Sequence, residues 1–329
     1  MDAEELLRRY AAGQRDFRNA NLVGIDLEKA NLIGANLSGA YMAGVNLKRA
    51  FLTGANLSGA TLHHANLSYA KIGEAKLIET DFTKANLTGA YLVKSLLTNA
   101  KLSGSILSNV NFRLSNLRGV NFCGADLRGI NFRSANLTEA NLSWANMTGA
   151  KLSGALLRGA LLNGVKLTKA YLNGVDLNGV DLDGVNLSEA KLSGANLSGA
   201  NMTATNLSFA QLRVTLLSRA NLHAANFNSA ILTKADLCES NLNKADLSEA
   251  DLSFADLTGA NLNKASLNQA NITGTSMRGA YLWNANLNVA KMRGADFTNA
   301  SLWGAYLASS EAKEAIYAGT TMPDGTIHI

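Results

Sequence analysis

The side chains that could do chemistry are few, and their spacing does not assemble a site. The four histidines are His63, His64, His223 and His328, and the two cysteines are Cys123 and Cys238. A zinc site needs Cys or His ligands in closely spaced pairs, and no such grouping occurs. The cysteines are far apart in sequence, so both are expected to stay free thiols in a reducing compartment. Asp and Asn are abundant, but they recur at one fixed position of a short repeat. There a side-chain oxygen bonds backbone at a corner rather than acting as an acid or base. Glycine is frequent without any G-x-x-x-x-G-K-[ST] run, so no phosphate-cradling loop is implied. The chain is therefore not expected to be an enzyme, and no catalytic, metal or cofactor-binding residue is assigned.

Two groups of surface residues are better suited to binding. Residues 84 to 133 hold Lys84, Lys94, Lys101, Arg113, Arg118, Arg128 and Arg133 against Asp126 alone. Arg113, Arg118 and Arg133 form a candidate belt for an acidic partner or phosphate groups. The alternative is a solvated stretch that only aids solubility. Further along, Asp236, Glu239, Asp246, Glu249, Asp251 and Asp256 make a locally acidic region in a chain of net charge +5 and pI ≈ 9.1. The second group is aromatic: Tyr281, Trp283, Trp303 and Tyr306, at outward positions where most other residues are small and polar. Exposed aromatic clusters mark interfaces. The competing expectation is that the C-terminal tail, with Met322 and Ile327, folds over them.

What must position these residues is a repeat of five. From Phe17 to Leu307, 59 successive residues at that spacing are Leu, Phe, Met or Ile, with no insertion or deletion. The residue two before each centre is mostly Ala, the residue just before it mostly Asn or Asp, and the residue two after it often Gly. Ala35-Asn36-Leu37-Ser38-Gly39 shows the pattern. Five residues advance about 500° round an α-helix, so the leucines would not share a face. A flat strand needs a period of two. Inward positions two apart and then three apart fit short extended segments joined by corners. Gly supplies the positive φ of a type II turn. Such a chain coils and stacks on itself, as fixed-period solenoids do. Residues 204–254 lack Gly at the corner, so turns without positive φ are expected there.

These repeats resemble the pentapeptide-repeat family, A-(N/D)-L-X-X, over about nine-tenths of the chain. The resemblance implies an all-β fold, a right-handed quadrilateral β-helix with four pentapeptides per coil and hence about 15 coils. Unusual residues recurring 20 apart agree with that period: Phe112 and Phe132, Arg113 and Arg133, Trp283 and Trp303. The expected domains are an N-terminal capping helix (1–14), the β-helix (15–307) and a C-terminal cap or tail (308–329). Asp2 and Glu5 have capping-box spacing. Leu6, Leu7 and Tyr10 should lie over the first coil, with Gly13 ending the helix. Residues 310–315 are expected to form a brief helical turn, and 322–326 a turn before a short last strand. The opening and the M-P-D-G-T ending resemble cyanobacterial members of the family.

The function expected is a non-catalytic structural or protein-interaction scaffold in the cytoplasm, with an end-to-end homodimer among its possible assemblies. No apolar run approaches the length of a membrane span. Family members of the quinolone-resistance type imply an alternative, a DNA-mimicking regulator of a type II topoisomerase. That reading needs an acidic surface, which this chain lacks. Direct nucleic-acid binding through the Arg113–Arg133 belt is a further alternative, not favoured because no outward aromatics interleave with the arginines and no recognised binding module is present.

Overall fold

Every backbone N–H of a typical repeat has a partner, and that accounting explains the architecture. In the repeat 35–39, the Ala35 N–H donates to the Leu32 carbonyl at 3.1 Å and closes a turn. The Asn36 N–H donates back to the Arg15 carbonyl of the preceding coil at 2.7 Å. Leu37 and Gly39 donate forward to the Asn56 and Ser58 carbonyls of the next coil, at 2.7 and 2.9 Å. The Ser38 N–H would be left over, and the Asn36 side-chain oxygen accepts it at 3.2 Å. Asn or Asp before the centre thus completes the hydrogen bonding that backbone geometry leaves open. Residues 245–249 repeat the scheme, with Asp246 Oδ1 accepting from Ser248 at 3.0 Å.

The computed structural model describes residues 1–328, in two compact units, Met1–Lys166 and Leu167–Ile329. Within each, parallel single-residue bridges join positions 20 apart. They run from Asp16–Asn36 to Asn146–Lys166 in the first unit and from Tyr171–Lys191 to Ser301–Thr321 in the second. Four pentapeptides therefore make one coil. All centres from Phe17 to Leu302 are buried, with the Ala positions filling the space between them. Each buried Leu contributes about 2 kcal/mol before ordering costs are subtracted. Phe112 and Phe132 stack one coil apart at 5.7 Å, with Phe122 edge-on to both. Where Ser or Thr replaces Ala inside, the hydroxyl finds a carbonyl: Thr80 Oγ1 donates to Leu57 O at 2.9 Å and Thr205 Oγ1 to Leu182 O at 2.9 Å. Among the described residues no buried side-chain polar atom lacks a partner.

Two expectations about corners and ends are corrected. The glycine-free corners of 204–254 do use positive φ: Ala204 lies at 51°, Val214 at 51° and Lys234 at 59°. The corner N–H is committed to the next coil, as Ala204 N is to His223 O at 2.9 Å, so the ladder over-determines the turn whatever residue occupies it. Residues 310–315 form no helical turn. Glu311, Ile316 and Thr321 bridge Lys291, Asp296 and Ser301, so the ladder continues beyond Leu307.

At the N-terminus, α1 (Ala3–Ala11) begins at the Asp2 cap, whose Oδ1 accepts the Glu5 N–H at 2.8 Å. Leu6 is fully buried and the Tyr10 hydroxyl donates to the Ile33 carbonyl at 2.8 Å, whereas Leu7 faces solvent. Leu7 therefore does not help to cover the first coil: only one side of so short a helix can face the core. At the other end, β1 (Thr320–Thr321) pairs antiparallel with β2 (Ile327–His328). Tyr317 stacks on Phe297 at 5.4 Å, and its phenol is pushed up by burial.

Candidate functional site

An aromatic cluster occupies one face of the second unit. Tyr281, Trp283 and Trp303 sit on two successive coils whose ladder holds the backbone rigidly, since Tyr281 and Ser301 are bridge partners. The Trp283 and Trp303 rings meet edge to face at 6.4 Å, and Tyr281 meets Trp283 at 6.3 Å, also edge to face. The Trp283 indole N–H donates to the Ser301 hydroxyl at 2.7 Å, and its backbone N–H to Asn263 Oδ1 at 2.8 Å. Those bonds fix the first indole. The closing turn touches the second: Gly304 N–H donates to the Pro323 carbonyl at 2.9 Å, and Trp303 borders Gly325. Even so, Trp283 is 45% and Trp303 54% exposed, and Ile327 is itself exposed. Tyr306 lies on the next face, exposed, and among the described residues joins no ring pair. The cluster is three rings with an open outer surface.

The arginines are arranged differently from a belt. Arg118 makes a two-pronged pair with Glu139 at 3.0 Å, and Arg128 pairs with Asp126 at 2.6 Å. The Arg128 guanidinium holds the Asp126 carboxyl below the usual carboxylate range, against the opposing effect of burial. Arg113 and Arg133 stand one coil apart on a single face, and neither is in an ion pair among the described residues. Free positive charge therefore does not continue round the corner to Arg118.

Other positions that could carry chemistry are accounted for structurally. His63 lies 3.4 Å from Asp81, at the surface. Cys238 lies beside Asp236 and Asp256; burial first, then the two carboxylates, pushes its thiol up to about 12. It remains a protonated thiol and a poor nucleophile. A surface groove of about 350 Å³ passes Ser198, Ser218 and Cys238, and another of about 530 Å³ passes Lys169, Tyr171 and Phe209. Among the described residues no group of His, Cys, Asp and Glu could hold a metal ion. None of their helices is long and apolar enough to cross a membrane.

The sequence reading missed a set of exposed aromatics at corners. Tyr69, Trp144 and Phe254 all lie at positive φ and lean onto the corner one coil later. That corner is Gly89, Gly164 and Gly274 respectively, and a Cβ there would meet the ring at 2.7 Å or less. The signal was present as a bulky corner residue followed by Gly 20 positions on. Its glycine is required for space as well as for conformation.

The family follows from the repeat itself. The family model of pentapeptide repeats matches segments that run from residues 16–49 to 275–310 and leave out only residue 114 between them. The chain belongs to the pentapeptide-repeat family. Membership of this family implies a right-handed β-helix, consistent with the 20-residue bridges. A search of curated proteins found no match. Solved structures similar to this pentapeptide-repeat protein include HetL, described as involved in heterocyst differentiation regulation, from Nostoc sp. strain PCC 7120. It is 27% identical over 100% of both chains, with a TM-score of 0.17. QnrB1, a plasmid-mediated fluoroquinolone resistance protein, is 15% identical over 65% of this chain and 90% of its own, with a TM-score of 0.37. Rfr23 from the cyanobacterium Cyanothece 51142 is 22% identical over 50% of this chain and 94% of its own, with a TM-score of 0.22.

Proposed function

We propose that this pentapeptide-repeat protein is a non-catalytic scaffold, working in the cytoplasm, that binds another protein through the aromatic face of its second unit. The observation that carries the reading is the Tyr281–Trp283–Trp303 cluster: three rings in edge-to-face contact on a hydrogen-bonded ladder, the Trp283 indole bonded to Ser301, each about half exposed. Rigid, partly exposed aromatics lose little entropy on binding and dominate interface energetics. The repeat supports the same reading, because members of the family are generally structural or interaction proteins. Topoisomerase regulation by duplex mimicry is the weaker alternative. A duplex mimic must present negative charge, whereas this chain carries +5.

The test is a pull-down from native lysate with wild type, Trp283→Ala/Trp303→Ala and Arg113→Glu/Arg133→Glu. A partner captured by wild type and by the arginine variant, but lost with the tryptophan variant, would map the interface to the aromatic face. Identical capture by all three would remove the proposal. Sedimentation of the same proteins shows whether the partner is a second copy.

A further inference from the structure

Five cations stand along one face of the first unit, on five successive coils: Lys71, Lys94, Arg113, Arg133 and Lys151. The bridges Lys71–Tyr91, Tyr91–Asn111, Asn111–Asn131 and Asn131–Lys151 place them on that face in order. Glu74 is the one acid among them. None of the five is in an ion pair among the described residues. Many cations on the other faces of this unit are neutralised: Arg18 by Asp16, Lys48 by Glu28, Lys101 by Asp81, Arg118 by Glu139 and Arg128 by Asp126. The other-face cations of the coils outside ion pairs, Arg49, Lys76, Lys84, Arg158 and Lys166, are divided among three faces, so unpaired positive charge is densest on this one, in a stripe parallel to the stacking direction. At a coil spacing of about 4.8 Å, it is roughly 19 Å long.

The same face carries aromatic rings in the same column as the first cation. Phe51 bridges Lys71, and Lys71 bridges Tyr91, so ring, cation and ring succeed one another coil by coil. Phe51 is 44% and Tyr91 42% exposed. Gly73 explains how Tyr91 sits. It is the one glycine of 29 without a positive φ, so its conformation does not require glycine. A Cβ there would lie 3.3 Å from the Tyr91 ring. Glycine leaves room for the tyrosine to pack close over the backbone. The Lys71 ammonium is 5.7 Å from the ring centre, so a base stacked on Tyr91 and a phosphate paired with Lys71 can belong to neighbouring nucleotides.

We infer that this face binds single-stranded nucleic acid, its phosphates tracking the cation stripe and its bases stacking on Tyr91 and Phe51. A positive track with stacking platforms is how strands are held without sequence preference. The arrangement is not evident in sequence because Phe51 and Tyr91 each lie 20 residues from Lys71 and become its neighbours only through the coil. This proposal draws only on residues of the first unit and the aromatic cluster only on residues of the second, so each is tested by its own variants.

The test is fluorescence anisotropy with labelled oligo-dT of about 20 nucleotides and the full chain, over roughly 50 to 200 mM KCl. Five phosphate contacts on a single strand predict a log–log salt slope of about −3.5, and Arg113→Gln/Arg133→Gln should reduce its magnitude by about 1.4. Tyr91→Ala should weaken binding about tenfold and leave the slope unchanged. Lys48→Gln/Arg49→Gln, on another face, should change neither, and circular dichroism confirms that each variant is folded. The inference is overturned by absence of binding at the lowest salt, or by a slope indifferent to the arginine pair. Tighter binding of a duplex of the same length also overturns it. So does equal competition by inorganic polyphosphate together with an unaffected Tyr91→Ala, which would mark a generic polyanion surface.

Discussion

Replacing Ala204 by Gly, and separately Ala224 by Gly, should stabilise the protein, the reverse of what Ala→Gly does at ordinary positions. Both alanines sit at corners with φ of 51° and 54°. For a residue with a Cβ that conformation costs about 1–2 kcal/mol. Glycine avoids this but loses about 0.5–1 kcal/mol more backbone entropy on folding. The difference leaves a gain of about 0.5–1 kcal/mol per site, because an exposed alanine methyl buries little that would be lost. The reverse arm is Gly194→Ala. Gly194 has a φ of 69°, and a Cβ added there would meet nothing within 4 Å, so backbone strain alone should cost a similar amount. The assay is urea unfolding, with the midpoint rising for the two glycine variants and falling for Gly194→Ala while the denaturant slope stays constant. A lowered midpoint for Ala204→Gly and Ala224→Gly would refute the claim that the ladder imposes a strained corner on whatever residue occupies it.

Two further outcomes are expected. Asn241 donates to Asn221 Oδ1 at 3.0 Å and accepts the Asn243 N–H at 3.2 Å. Asn241→Ala should cost about 1–2 kcal/mol in thermal or urea unfolding. Asn241→Asp, which keeps the acceptor, should cost less; equal losses would show that the corner acceptor is not what matters. In a Cys123→Ser background, Cys238 should react with iodoacetamide near pH 9 at least roughly tenfold more slowly than a free peptide thiol. Asp256→Asn should speed the reaction. Because the folded thiol titrates near 12 and an unperturbed thiol at 9.0, its contribution to stability is complete below 9.0 and is lost as pH rises towards 12. The same pH dependence of stability in Cys123→Ser and in Cys123→Ser/Cys238→Ser would refute the assignment.

The coil could be read from the residues because burial and hydrogen bonding share one period. Leu37 faces inward and Asn36 serves the corner in a single repeat, so each independently reports the same turn. The corners of 204–254 are not legible in sequence, because glycine eases a positive φ without being required for it. A residue such as Val214 gives no local sign that two flanking coils dictate its φ. The ladder beyond Leu307 was hidden for a related reason. Glu311 and Ile316 are templated by carbonyls of the coil before them, Ala290 and Ala295, at 3.0 and 2.9 Å. A terminal coil covered on one side has no need of the full apolar pattern. Of the candidate sites, the tryptophan pair was legible because both residues sit 20 apart. The pairing of Arg118 with Glu139 was not, since it joins residues 21 apart on adjacent coils.

The 20-residue bridge also governs how such a chain can change length. Adding or losing one residue would turn every later leucine outward, so single-residue insertions should be purged from the coils. A five-residue change preserves the core but advances everything after it by one face. Deleting one repeat between Leu222 and Leu282 would carry Trp283 and Trp303 onto a neighbouring face relative to the coils before the cut. Only a twenty-residue change is silent in phase, moving a surface feature along its own face. The lineage of such a protein thus has a coarse dial: quarter turns recompose its surfaces, and whole turns alter only the spacing between them.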